Sequence, residues 1–234
     1  MDQISSLIVR TRSDILRDMK RIAVLRGGPS TEYGVSMLSG EAVLKALDNS
    51  EYVVKDIVVT KKGEWLDSGF VKQPEKALEA IDVVFIALHG QYGEDGKVQR
   101  ILERLNIPFV GTRSLSSAIA FNKLLTKSSL KPHGILMPKH RSLTMADLPL
   151  LDEEVRLIFQ EVGQELFIKP VADGSSVGAR HIPHDAALKE AAEELLQNYD
   201  QIMVEEHIRG KEATVGVLEN FRNEATYVLP VIEI

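Results

Sequence analysis

Residues 166–178 read LFIKPVADGSSVG, and the reading of this stretch decides the rest of the chain. Leu166, Phe167 and Ile168 form an apolar run that suits a buried strand. The run delivers Lys169 and stops, because Pro170 cannot donate to a sheet ladder. Asp173, Gly174, Ser175, Ser176, Val177 and Gly178 follow, a small-residue loop able to turn its backbone amides inward. A concave amide surface beside a fixed cation suits a polyphosphate, because both supply positive potential where the anion sits. The same residues satisfy G-x-S-x-G, the pattern that exposes a nucleophilic serine, here Ser176, on a hydrolase elbow. An elbow needs a helix directly after the serine, whereas residues 179–184, ARHIPH, alternate like a strand and contain proline. A plain surface loop with one lysine is the third reading.

Outward from this loop, length and composition set the bounds. The chain has 234 residues, 44% of them hydrophobic, enough for one large or two modest domains with a real core. A formal net charge of −6 disfavours a general nucleic-acid or anionic-membrane surface. Without cysteine there are no disulfides or thiolate metal sites, which fits a reducing compartment. No uncharged apolar run reaches spanning length and no signal-peptide pattern is present, so the expectation is a soluble, cytoplasmic protein.

Residues 1–18 read as an extension, because charges at Arg10, Arg12, Asp14, Arg17 and Asp18 interrupt any long apolar face. A compact α/β unit is expected from Met19, which makes Met19 a candidate start. From Ile22 the pattern is strand, glycine turn, helix: Gly27 and Gly28 end the strand, and Pro29 to Glu32 form a polar loop. Val35, Leu38, Ala42 and Ala46 recur at helical spacing, predicting the face that packs on the sheet. Strands are expected at 53–59 and, almost wholly apolar as in a covered parallel sheet, at 81–88. Alternating strands and helices imply a doubly wound, Rossmann-like fold whose ligands sit beyond the strand C-terminal ends. The loops 27–32 and 89–96 both lie at such ends.

The second of these loops reads HGQYGEDG. Gly96-Lys97 invites a P-loop reading, but Gln91 stands where glycine is required and Val98 follows the lysine. Glu94 and Asp95 fit either a metal or acid/base pair, or capping groups before a helix. His89 stands where the strand meets the cleft, equally suited to a ligand and to structural packing. Beyond it we expect a helix at 98–105, a short strand at 107–110, one helix over 114–125 carrying Lys123, a turn at 131–134, an extended edge at 135–142 and a helix within 146–165. A helix at 185–198 and strands at 202–205, 212–218 and 226–234 complete the chain. Taken alone, Lys123, Glu205 and Glu206 read as solvated charges.

Five stretches together resemble the D-alanine–D-alanine ligases of the ATP-grasp superfamily: RIAVLRGGPSTEYGVSMLSG, ALHGQYGEDGKVQ, FNKLLTK, LFIKPVADGSSVG and VEEHIRGKEATVGVL. They stand in that family's order from Arg21 to Leu218. The resemblance implies a Rossmann-like substrate-binding domain at 19–113 and an ATP-grasp domain at 114–234. It implies synthesis of D-alanyl-D-alanine from two D-alanines and ATP, with Mg2+, for peptidoglycan. By the same resemblance Lys123 and Lys169 hold nucleotide phosphates, with Ser176 and Val177 in the loop covering them. Glu205, Glu206 and Ile208 contact adenine, and Glu212 takes the ribose hydroxyls. Glu32 receives the first D-alanine's ammonium, His89 lies near its carboxylate, and Ser175 joins Glu32 in a catalytic hydrogen-bonded set. A homodimer also follows only from the resemblance.

The family continues past the position of Ile234 into a segment that carries its magnesium ligands. The expectation is therefore a C-terminally incomplete chain, without a metal site of its own and inactive alone, either truncated or half of a split enzyme. Two local departures stand out: Tyr33-Gly34 after Glu32 where charged residues are usual, and Asn122 before Lys123 where aspartate is frequent. The alternatives are a D-alanine–D-lactate or D-alanine–D-serine ligase, a non-catalytic nucleotide-binding remnant, and the Ser176 hydrolase.

Overall fold

The computed structural model describes residues 19–48, 52–174 and 178–234. The expected N-terminal extension, and the candidate residues Ser175, Ser176 and Val177, lie outside the described residues. Two compact units are present: the chain up to Met137 together with Lys169–Ala179, and Pro138–Ile168 together with Arg180–Ile234. The first unit thus takes in residues 114–137 and the segment after Ile168 besides the part up to 113.

The first unit is built on a six-stranded sheet. Strands β1 (Lys20–Gly27), β2 (Tyr52–Val59), β3 (Trp65–Asp67), β4 (Phe70–Lys72), β5 (Val83–Ile86) and β6 (Phe109–Val110) lie in the order β4-β3-β2-β1-β5-β6. β1 pairs in parallel with both β2 and β5, and β5 with β6, as the doubly wound pattern requires. The β3–β4 hairpin, antiparallel to β2, was not expected; it is too short to leave a periodic signal. Helices α1 (Tyr33–Leu47), α2 (Pro74–Ala77) and α3 (Lys97–Arg104) accompany it. Ala23, Leu25, Ile57, Val84, Val98 and Leu102 are wholly buried in its core.

The packed face of α1 corrects the sequence reading. Val35 and Leu38 are exposed, at 54% and 69%, and the buried residues are Ser36 and Gly40. Ser36 Oγ accepts from Gly27 N at 2.8 Å and donates to Ala87 O at 2.7 Å, so a polar side chain is satisfied against the strand ends. A Cβ at Gly40 would run into the Arg26 side chain, whose guanidinium is held by Asp56. Close approach of helix to sheet selects small residues here, and apolar counting misses that.

The single helix expected over 114–125 is two: α4 (Ser114–Phe121) and α5 (Lys123–Leu130). Asn122 leaves helical geometry at φ −99°, ψ 110°, and its Oδ1 accepts from the backbone N–H groups of Leu124 and Leu125 at 3.1 and 3.0 Å. That is an N-cap, and it makes Lys123 the first residue of α5. Asn122→Ala should cost about 1 kcal/mol in urea unfolding, and Asn122→Asp should cost much less.

The second unit has a four-stranded sheet, order β7-β10-β8-β9, from β7 (His140–Thr144), β8 (Leu166–Pro170, its first three residues in this unit), β9 (Arg180–Ile182) and β10 (Gln201–Glu206). Helices α6 (Leu151–Glu161) and α7 (Asp185–Leu196) cover one face. Val155, Ile158, Leu166, Ile168, Leu188 and Ile202 are among the residues of its core. The last two expected strands are each divided. Residues 212–218 give β11 (Ala213–Thr214) and the start of β12 (Val217–Phe221), and 226–234 give the end of β13 (Glu224–Val228) and β14 (Ile232–Glu233). β12 and β13 form a hairpin through Arg222 and Asn223, both at positive φ, while β11 pairs with β14. Among the described residues no helix is long and apolar enough to cross a membrane.

Candidate functional site

β1 ends at Gly27 and Gly28, both at positive φ, and the chain turns into the loop that carries Glu32. Glu32 occupies the N-cap position of α1, yet its side chain makes no capping bond. Its carboxylate instead lies against two glycines: a Cβ at Gly90 would sit 2.7 Å, and one at Gly174 3.0 Å, from Glu32 Oε2. Any side chain at either glycine would displace the carboxylate. Ser30 fixes this loop to the next, accepting from Glu32 N at 3.2 Å and donating to His89 O at 2.6 Å.

The loop 89–96 is rigidly built. Tyr92 adopts φ +72°, a conformation an aromatic residue rarely takes, and its partly buried hydroxyl accepts from Trp65 Nε1 at 2.8 Å. Burial is the main cause that raises the Tyr92 pKa. Gln99 Nε2 donates to Gly93 O at 2.7 Å. The adjacent acids diverge, which answers the question the sequence left open. Asp95 Oδ1 accepts from Lys97 N at 3.0 Å at the start of α3, and Asp95 Oδ2 pairs with Lys97 Nζ at 2.9 Å. Glu94 turns to His89, with Oε1 3.4 Å from Nδ1, and the other ring nitrogen, Nε2, is 2.9 Å from Ser39 Oγ. The pair is thus no bidentate metal or acid/base set.

Lys123 grips the segment after β8 twice. Its backbone N–H donates to Val171 O at 3.0 Å and its ammonium to Asp173 O at 3.0 Å. Asp173 Oδ1 in turn accepts from Gly174 N at 2.8 Å. Within the first unit, then, Glu32 and Lys123 both meet the six residues that start at Lys169. After Gly178 the chain enters β9, a strand, so the helix a hydrolase elbow requires is absent there.

In the second unit, Glu205 is 8% exposed on β10, not a solvated charge, with its Cα opposite His140. Glu206 Oε1 accepts from Lys139 N at 3.1 Å while Glu206 N donates to Lys139 O at 3.0 Å. Ile208 is 63% exposed, and Glu212, also exposed, accepts from Ile234 N through its carbonyl. Strand alternation gives Leu166 and Ile168 to the core and turns Phe167 and Lys169 to the opposite face. Two features here escaped the sequence reading. The His207 ring packs on Phe167 and His181, at centroid distances of 5.8 and 5.1 Å. Arg209 clamps Glu165 through two bonds, 2.8 and 2.6 Å, and this guanidinium is the main reason the Glu165 carboxyl is held below its usual range. Residues 26 to 44 positions apart leave no local signal.

Among the described residues no group of three or more His, Asp or Glu side chains could hold a metal ion. The described residues therefore offer no ligand set that fits magnesium.

The family model "D-ala D-ala ligase N-terminus" matches residues 21–77 and 66–112, and "D-ala D-ala ligase C-terminus" matches 129–234. The D-alanine–D-alanine ligase of Desulforamulus reducens is 39% identical over 217 residues, covering 92% of this chain and 66% of the relative. That of Aquifex aeolicus is 39% identical over 215 residues, with 92% and 66% covered. The chain thus spans 66% of the length of each of these two ligases. Among solved structures, the D-alanine–D-alanine ligase from Coxiella burnetii superposes with a TM-score of 0.77 at 31% identity, covering 92% of this chain and 71% of that one. The VanG D-Ala:D-Ser ligase from Enterococcus faecalis superposes with a TM-score of 0.77 at 30% identity, with 92% and 70% covered. On this sequence and structural likeness, the chain belongs to the D-alanine–D-alanine ligase family.

Proposed function

We propose that this chain carries the nucleotide and first-substrate surfaces of an ATP-dependent ligase that joins two D-alanines for peptidoglycan synthesis in the cytoplasm. The observation that supports the reading is the convergence of Glu32 and Lys123 on one short segment: the Glu32 carboxylate lies at Gly174, and the Lys123 ammonium bonds Asp173 O at 3.0 Å. An acid that can take an amino acid's ammonium and a lysine that can take a phosphate are thereby fixed to the same loop. Lys169 opens that loop, Ser176 and Val177 cover the phosphates, and Ser175 joins Glu32 near the amino acid. Glu205, Glu206 and Ile208 receive the adenine and Glu212 the ribose. A homodimer belongs to the same proposal.

In the reaction proposed, a carboxylate oxygen of the first D-alanine attacks the γ-phosphorus as the bond to the β-phosphate oxygen breaks, giving an acyl phosphate and ADP. The second D-alanine's amine, having lost a proton, attacks the acyl carbon and expels phosphate. No enzyme group is modified covalently; positioning and charge stabilisation supply the rate enhancement. The Lys123 and Lys169 ammonium groups suit the negative charge on the transferred phosphoryl group.

Binding is the first test, by calorimetry on the 234-residue chain with ATP and with D-alanine separately. Lys123→Ala should weaken ATP about tenfold, the loss of one charge-assisted contact, and leave D-alanine unchanged. Glu32→Gln should do the reverse. Equal affinity for L-alanine, or no response to ATP, would overturn the reading.

A further inference from the structure

We propose that Ser39 is a positioning residue for His89: with Glu94 it fixes which ring nitrogen carries the proton and leaves one edge of the ring to meet an incoming carboxylate. The identity of that carboxylate, an amino-acid substrate's, rests on the function proposed above; the state of the ring does not.

Three serines after β1 reach across to the chain following β5. Ser36 donates to Ala87 O and Ser30 to His89 O, both backbone carbonyls. Ser39 contacts the imidazole itself, Oγ to Nε2 at 2.9 Å. Ser36 and Ser39 are three residues apart on α1, so one helix face presents both. The packing of Ser36 and Gly40 on the sheet therefore also sets where Ser39 Oγ lies.

The two contacts determine the tautomer. A carboxylate only accepts, so the Nδ1 edge facing Glu94 carries the proton. Nε2 of the neutral ring then has a lone pair, and the Ser39 hydroxyl donates to it. This is the opposite of the Nε2–H form that an unpartnered histidine favours in water. The contacts also differ in strength. At 2.9 Å the serine bond is of ordinary length, whereas 3.4 Å to Glu94, between side chains 32% and 47% exposed, is long. Ser39 is the anchor and Glu94 the exchangeable partner. A substrate carboxylate takes the Nδ1–H in place of Glu94, on a ring whose orientation the serine has already set.

Long-range 15N–1H correlation spectra of the histidine-labelled chain, at a pH where the ring is neutral, test this without any ligand. Wild type is expected as Nδ1–H with its bare Nε2 shifted by the serine's hydrogen bond; Ser39→Ala should keep Nδ1–H but move the Nε2 resonance to the position of an unbonded nitrogen, Ser39→Thr should restore it, and Glu94→Ala should release the ring to Nε2–H. A wild-type Nε2–H ring, or an Nε2 resonance that does not move in Ser39→Ala, overturns the proposal. With D-alanine added, the Nδ1 resonance should move, D-alaninamide should leave it in place, and Ser39→Ala should weaken D-alanine roughly fivefold, the worth of one neutral hydrogen bond. D-Alanine binding measured by heat with a stationary Nδ1 overturns the exchange. A ring in the expected tautomer in a chain that binds no D-alanine supports the role of Ser39 and refutes the substrate assignment instead.

Discussion

Gly27→Ala is expected to destabilise the chain by about 3 kcal/mol or more in denaturant unfolding, whereas Gly28→Ala one residue on should cost only about 1 kcal/mol. Both glycines lie at positive φ, +93° and +99°, so both replacements carry the strain of placing an L side chain in the left-handed region. Only the first also meets backbone. A Cβ at Gly27 would fall on Val59 O, well inside van der Waals contact, and 2.9 Å from Tyr33 Cε2. The tyrosine ring can turn aside, but the carbonyl cannot move without loss, because it accepts from Gly28 N at 2.8 Å and belongs to the central β1–β2 pair. At Gly28 the nearest atom is Leu88 Cδ2 at 3.4 Å, which a small rotation accommodates. Equal losses at the two positions would show that conformation alone, not close approach, fixes this turn. The Glu32 loop starts here, so the same substitution should also weaken whatever Glu32 binds.

Asp67→Asn is expected to cost about 2 kcal/mol at neutral pH, an effect that vanishes in acid. Asp67 is 3% exposed on β3 and bonds two lysines through one oxygen, Lys72 Nζ at 2.6 Å and Lys55 Nζ at 2.7 Å; Lys55 also reaches Ala77 O at 2.7 Å. The hydrogen bond from Lys55, followed by that from Lys72, lowers the Asp67 pKa to about 2. A carboxyl depressed from about 3.9 contributes stability that is fully present above the unfolded value and is lost as pH falls toward the folded one. The difference between wild type and Asp67→Asn should therefore hold from pH 7 to about 5 and shrink between about 4 and 2. At neutral pH the neutral amide leaves two partly buried ammonium groups without their counter-charge, which is the larger part of the loss. A difference that stays constant down to pH 2 would mean that Asp67 acts by shape alone. The lysines come from β2 and β4, so the site also ties the unexpected hairpin to the sheet.

The sequence by itself determined the parallel core of the first unit and the loops at its strand ends. Apolar runs such as 22–25 and 83–86 leave a chain few choices but buried strands, and glycines at 27, 28, 90 and 96 mark turns that other residues adopt only with strain. It also singled out His89 and Lys169, which stand at glycine-rich loops, whereas Glu32 and Lys123 became candidates only through the family resemblance. Tertiary structure decided the rest. Which face of α1 packs was settled by Ser36 and Gly40, whose fitness depends on carbonyls and side chains contributed by β1 and the end of β5. The break at Asn122 depends on a local cap outweighing helical periodicity on both sides. Whether Glu205 is solvated and which serine meets the imidazole are matters of contact between segments far apart in the chain. Residue types and spacings carry periodicity and conformational permission, but a hydrogen bond across fifty residues exists only once the sheet has brought its two ends together.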